Sequence, residues 1–317
     1  MSLVWRQTFG SAPIDEITLG AVADDILAKH SFVTEKPEEV LKLCRDLDDN
    51  TATAVLYRYL AELRHREFVA DVDARSAGPL NAQGKAKFLV VPGFFYAEHP
   101  DIGSGGDVVL ASAAACGFAV DRVPMKSLGT VLENAAILKS ALEADKHPNI
   151  WLVSFSKGAA EIRLLMQQLG SRFPDNVRGW ISISGIVGGT PLATMKFRSA
   201  LHRLYGRMFF PLLGTSFEAI SQMRHDHEFW QDALVLPNDM KCIHVAGVPL
   251  LGHVQPLLVE RHQLLNEFGT NDGISLLQTT MAAPGHIYPL WGADHFLRTP
   301  RLSPLIYRLM HFVNGIE

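Results

Sequence analysis

Cysteine is scarce in this 317-residue chain. There are three, Cys44, Cys116 and Cys242, odd in number and far apart. None has a second Cys or a His at metal-ligand spacing, so neither a disulfide framework nor a metal site is expected. They read as buried apolar side chains in a reducing compartment. An excess of positive charge is also missing. The formal net charge is −4, which removes the electrostatic footprint of a nucleic-acid binder. No apolar run reaches the roughly 18 residues of a membrane-crossing helix. The nearest, RMFFPLLGTSFEAI at 207–220, is broken by Pro211 and Gly214. The opening MSLVWRQTFGSAPIDEITLG lacks a basic stretch followed by an apolar one, so no secretory signal is expected. A cytoplasmic protein is the expectation, with no integral membrane segment and no nucleic-acid partner.

What is present is apolar content enough for a large core: 48% hydrophobic residues against 20% charged. Residues 1–80 carry apolar residues at helical spacing in PIDEITLGAVADDILAKH, KPEEVLKLCRDL and NTATAVLYRYLAELRHREF. Asn50 or Thr51 is placed to cap the third helix, and Pro37 suits a first turn. DARSAGPLNAQGKAK then reads as a linker. From Lys87 the rhythm changes. KFLVVPG, FAVDRVP, NIWLVSF, VRGWISISG, KCIHVAGVPL and GHIYPLWGADHF read as strands, with helices between and after most of them. That alternation predicts an α/β domain over 87–317, with a mainly parallel central sheet and helices on both faces. Residues from about 191 to 236 break the alternation and read as a helical cap insertion. Residues 1–80 form a helical N-terminal extension, a candidate surface for a partner or for a homo-oligomer.

In an open parallel sheet, chemistry gathers at the carboxyl ends of the strands. IWLVSFSKGAAEI, residues 150–162, puts Ser156 at such an end with a helix starting behind it. A nucleophile there needs small neighbours, because the turn is sharp. Gly158 and Ala159 meet that need, while Ser154 stands where a Gly is usual. A lone S-x-S-x-G carries little by itself, since serines after strands are common. Further along, GTNDGISLL offers Asp272 on a loop, and LWGADHFLRTP offers His295 after the last strand. Ser, Asp, His in that order is the order of a hydrolase triad. VVPGFFYAEHP follows the first strong strand, so Phe94 or Phe95 is placed to give one oxyanion donor. The Lys157 N–H is placed to give the other.

With these motifs in view, residues 87–315 resemble the α/β-hydrolase superfamily, and more narrowly its lipase and esterase branch. SFSKGAA is similar to the elbow of hydrolases with Ser-Lys-Gly, GIVGGTPLA to the turn that opens a lipase cap, NDGI to the turn bearing the lipase acid, and ADHF to the terminal histidine turn. The resemblance implies hydrolysis through an acyl-enzyme. Ser156 would attack, His295 would take and return the proton, and Asp272 would orient the imidazole. It implies a small-molecule ester or thioester substrate and no cofactor. An acyltransferase on the same scaffold and a non-catalytic binding protein remain the alternatives.

Other residues bear on the choice. Glu260 is the rival acid. Asp294 adjoins His295 but should face elsewhere. His286 sits at the start of the last strand, the wrong end. His30, His65 and His147 read as solvated, and His253 as a surface-loop residue. His225 and His227 have metal-like spacing without a second ligand pair, so cap surface explains them. Lys157 reads as an exposed helix-start residue rather than a base. GSGGD at 103–107 lacks the Lys-Ser/Thr ending of a phosphate loop. Phe, Met and Leu in 194–230 suit an apolar acyl pocket, or equally a helix-packing face.

Overall fold

The computed structural model describes residues 15–30, 36–79, 86–196, 217–237 and 239–315. Six strands form one sheet: β1 (Lys87–Val91), β2 (Ala119–Arg122), β3 (Ile150–Phe155), β4 (Val177–Ile183), β5 (Lys241–Val248) and β6 (His286–Trp291). Their order is β2-β1-β3-β4-β5-β6, and every neighbouring pair is parallel. The chain steps outward from β1 to β2, then returns past β1 to β3. The direction of winding therefore switches between β1 and β3, where loops leave in opposite directions and open a crevice.

The helices are α1 (Glu16–Lys29), α2 (Pro37–Cys44), α3 (Asp49–Arg58), α4 (Arg66–Ala74), α5 (Asp107–Ala115), α6 (Val131–Ala144), α7 (Lys157–Leu169), α8 (Pro191–Lys196), α9 (Phe217–Ser221), α10 (Pro256–Asn266), α11 (Leu277–Met281) and α12 (Leu302–Gly315). Alternation along the strands sorts side chains to two faces. Phe88, Val90, Trp151, Val153, Ile181, Ile183, Ile243 and Val245 meet α4, α5 and α12. Leu89, Val91, Ile150, Leu152 and Trp180 meet α6 and α7 on the other face. On that second face, Ala246, Val248 and Ile287 form one apolar cluster with Leu277 and Met281 of α11, with Tyr59 and Leu60, and with residues of α1, α2 and α3, of which α1 and α2 pack on α3. The N-terminal helices thus complete a sheet face that α6 and α7 leave open. Polar ties add to the packing: Trp291 Nε1 donates to Glu16, and Asn266 Nδ2 to Asp49.

Two local readings change. The third N-terminal helix is capped by Asp48, whose carboxylate accepts from the Asn50 and Thr51 N–H groups at 3.1 Å each. Asn50 and Thr51 lie inside its first turn instead. The same helix is interrupted by a π-helical turn, Tyr59–Arg64, and resumes as α4, which runs to Ala74 into the stretch read as linker. Tyr59 and Leu60 in that turn are fully buried. In the cap stretch, 197–216 lie outside the described residues. The flanking Met223 and Trp230 pack into the core beside α7. Arg163 on α7 donates to the Val187 and Asp232 carbonyls.

Candidate active site

Ser156 is the single residue between β3 and α7. Its backbone is strained, with φ 49° and ψ −116°, a region L-residues rarely occupy. Three hydrogen bonds hold it there. The Ser156 N–H donates to Ile183 O at 3.1 Å, and its carbonyl accepts from Ala159 at 3.1 Å and Ile186 at 3.0 Å. Close approach is the second requirement. A Cβ on Gly158 would lie 2.6 Å from Val91 O and 2.9 Å from Pro92 O, so the first turn of α7 rests against the end of β1. Ser154 does not obstruct this. Its side chain lies on the α6–α7 face, where its Oγ accepts from Trp180 Nε1 at 2.8 Å.

The loops after β5 and β6 bring the other two groups to the serine. Ser156 Oγ lies 2.8 Å from His295 Nε2, and His295 Nδ1 lies 2.8 Å from Asp272 Oδ2. The His295 N–H also donates to the Asp272 carbonyl at 2.8 Å. Asp272 is fixed by its own turn. Oδ1 accepts from the Ile274 N–H at 2.9 Å and the Ser275 N–H at 2.7 Å, and Oδ2 from Ser275 Oγ at 2.9 Å. Such short-range bonds from an Asp to the following backbone lock a loop without regular structure. Asp272 and His295 are only 5% and 7% exposed, which shields their contact from water. Burial alone would raise the Asp272 carboxyl. The adjacent His295 and the donors from His295, Ser275 and Ile274 overcome it and hold the group below its ordinary value. A carboxylate accepting at Nδ1 sets the neutral imidazole with its free lone pair on Nε2, facing the serine hydroxyl.

The oxyanion candidates separate. The Phe95 N–H donates to Ser127 O at 3.4 Å, so it is turned away from the site. Phe95 also adopts φ 61°. The Phe94 and Lys157 N–H groups have no acceptor among the described residues. Gly93 lets the β1 loop come close: a Cβ there would lie 3.0 Å from Phe155 O and 3.2 Å from Ser156 Cβ.

Lys157 is not the exposed residue its sequence suggests. It is 2% exposed and ion-paired with Glu161, itself 1% exposed. Their i,i+4 spacing on a helix was the available signal; the burial was not legible. Glu260 is exposed on α10, away from any role as acid. Asp294 faces elsewhere, accepting from the Gln255 N–H at 2.8 Å and the Phe296 N–H at 3.1 Å. His286 is at the start of β6, stacked on Phe68. His65 is buried, not solvated. His253 is half-buried, 3.0 Å from Glu16. His225 contacts Thr194, and His227 accepts from the Phe229 N–H. Among the described residues, no three His, Cys, Asp or Glu side chains are grouped to hold a metal, and no helix is long and apolar enough to cross a membrane.

No family model and no curated protein matches the chain at the level of sequence. Solved structures match it in fold. A metagenomic carboxyl esterase aligns over 76% of this chain and 78% of its own, at 20% identity and a TM-score of 0.55. A lipase from Bacillus licheniformis aligns over 74% and 91%, at 17% identity and a TM-score of 0.46. A Staphylococcus hyicus lipase aligns over 75% and 97%, at 13% identity and a TM-score of 0.49. With its parallel sheet, flanking helices and the likeness to the first of these structures, the chain has the α/β-hydrolase fold.

Proposed function

We propose that this protein is a serine hydrolase that cleaves a carboxylic ester or thioester through an acyl-enzyme on Ser156. The observation that carries the reading is the continuous chain Ser156 Oγ, His295 Nε2, His295 Nδ1, Asp272 Oδ2, with both links at 2.8 Å. A free serine hydroxyl is a poor nucleophile near neutral pH and needs a base at hydrogen-bond distance. His295 takes the hydroxyl proton as Ser156 Oγ attacks the acyl carbonyl. The tetrahedral oxyanion forms against the N–H groups of Phe94 and Lys157, the second of which opens α7 at its positive end. His295 then gives the proton to the leaving alcohol or thiol. Water enters, His295 deprotonates it, and the acyl group leaves as the acid. Asp272 remains ionised throughout and orients the imidazole. The acyl part is apolar in this reading, which rests on the Phe, Met and Leu content of 194–230.

The test is a panel of p-nitrophenyl esters and acyl thioesters of increasing chain length, with a fluorophosphonate probe run in parallel. Ser156→Ala should abolish both turnover and labelling while leaving the circular dichroism spectrum and the melting temperature near wild type. Turnover retained in the folded variant would end the reading.

A further inference from the structure

The ion pair beneath the elbow has no part in the proton relay just described, yet it touches both halves of the oxyanion site. The Lys157 ammonium contacts Glu161 and lies 5.5 Å from the centroid of the Phe94 ring, within the range of a cation–π contact. Lys157 and Phe94 are the same two residues whose N–H groups the serine-hydrolase reading assigns to the oxyanion. Glu161 Oε1 also accepts from Asn134 Nδ2 at 2.7 Å. Asn134, buried in α6, binds the backbone of Lys126 at both ends: its Oδ1 accepts from the Lys126 N–H, and its Nδ2 donates to the Lys126 carbonyl, each at 3.0 Å. The neighbours of Lys126 in turn hold the loop after β1. Tyr96 Oη donates to Met125 O at 2.7 Å, the Phe95 N–H to Ser127 O at 3.4 Å, and the Ala97 N–H to Ser127 Oγ at 3.2 Å. The contacts close into a circuit that runs from Lys157 through Glu161, Asn134 and residues 125–127 to the Phe94 loop, and back to Lys157.

We propose that the buried Lys157–Glu161–Asn134 chain is a positioning device that holds the two oxyanion donors in register, with the Lys157 side chain acting through the Phe94 ring. The proposal rests on the serine-hydrolase reading. A purely structural role fits the site less well. A buried ion pair is weak as a source of stability, because desolvation offsets the attraction. Here Glu161 Oε2 is left without a partner, so the pair is not the best-satisfied filling for that space. What the pair does have is contact with Phe94. Oxyanion donors act only when aimed at the developing charge, and a shift of about 1 Å in such a group costs about 10²-fold in rate.

The test removes the charges without orphaning either one. The double variant K157M/E161M replaces the pair by apolar side chains and keeps the Lys157-position N–H. It should keep the wild-type melting temperature or exceed it. Its kcat on an ester should fall by about 10-fold or more, with KM within about twofold. The Ki of an alkyl boronic acid, whose tetrahedral adduct places an oxygen in the oxyanion site, should rise by the same factor. Wild-type kcat and Ki in the folded double variant would overturn the proposal. Phe94→Leu covers the case in which the double variant does not fold, because Phe94 is only half-buried and the substitution removes the ring but not the N–H. It should show the same loss confined to kcat, and wild-type kcat there would equally overturn the proposal. Failure of the serine-hydrolase reading is distinguishable, since it appears in the wild-type protein as an absence of Ser156-dependent turnover.

Discussion

Ser154 and Ser156 are two residues apart, yet the structure gives them opposite surroundings, and Ser154→Ala separates their roles. Ser154 and Trp180 are both fully buried, and the Trp180 indole N–H donates to Ser154 Oγ at 2.8 Å. Removing the hydroxyl leaves that N–H in the apolar layer between the sheet and α7. A buried donor left without an acceptor costs about 1–3 kcal/mol, more than the net value of the bond. The melting entropy of about 2.1 cal/mol/K per residue makes each kcal/mol worth about 1.5 °C in a chain of this size. The expected fall in melting temperature is therefore about 2–5 °C. Ester turnover should stay within about twofold of wild type, because Ser154 Oγ is engaged by Trp180 Nε1 while Ser156 Oγ is the hydroxyl bonded to His295. Trp180→Phe on the Ser154→Ala background removes the orphaned donor, so the double variant should be less destabilised than the sum of the singles by about 1 kcal/mol. The assay is a double-mutant cycle by urea unfolding, with hydrolysis of a p-nitrophenyl ester as the activity control. A stable but inactive Ser154→Ala protein would refute the assignment of Ser156 as nucleophile. Additive single changes would refute the hydrogen bond.

Asp272→Asn should cost about 10⁴ in kcat, as loss of the orienting carboxylate does in serine proteases, with Glu260→Gln near wild type; the reverse pattern in ester assays would move the acid. Stability should fall with acid in a defined window. Burial pushes the His244 and His65 imidazoles down to about 4, so the unfolded chain takes up their protons below its ordinary value of about 6.5 while the folded chain does not. Both contributions are intact above about pH 6.5 and are lost as pH falls towards 4, by roughly 3 kcal/mol each. A urea midpoint unchanged between pH 7 and 4.5 would contradict this. Deleting residues 1–48 should uncover the face of α3 on which α1 and α2 pack, including the buried Ala52, Val55 and Leu56, lowering the melting temperature and promoting aggregation while Ser156 remains reactive to a fluorophosphonate. A truncation with unchanged melting behaviour would show that α1 and α2 are dispensable to the fold.

Much of the architecture was legible because it is written in local pattern. Apolar runs ending in Pro-Gly or Ser, each followed by a helical period, specify strands and helices through side-chain geometry that needs no distant partner. The turn at Ser156 could be read for the same reason: a strand, one serine, then Gly158 and Ala159 are consecutive in the chain. The order of Ser156, Asp272 and His295 was visible too, although 139 residues separate the first from the last. That the three stand 2.8 Å apart follows from parallel strands delivering their loops to one edge of the sheet, which is a tertiary fact. The tertiary structure also decided matters on which local pattern is silent. Lys157 looked like a solvated helix start, but α6 and the β1 loop close over it and give it Glu161 and the Phe94 ring. Phe94 and Phe95 are equivalent by sequence, and only the loop at Ser127 separates them by taking the Phe95 N–H. The N-terminal helices announced themselves by periodicity, which shows that an apolar face must be buried but not where. Only the uncovered face of β5 and β6 determined that. Sequence by itself set the elements, their order and the residue types available for chemistry; burial and the choice of partners came from packing, because both depend on groups far apart in the chain.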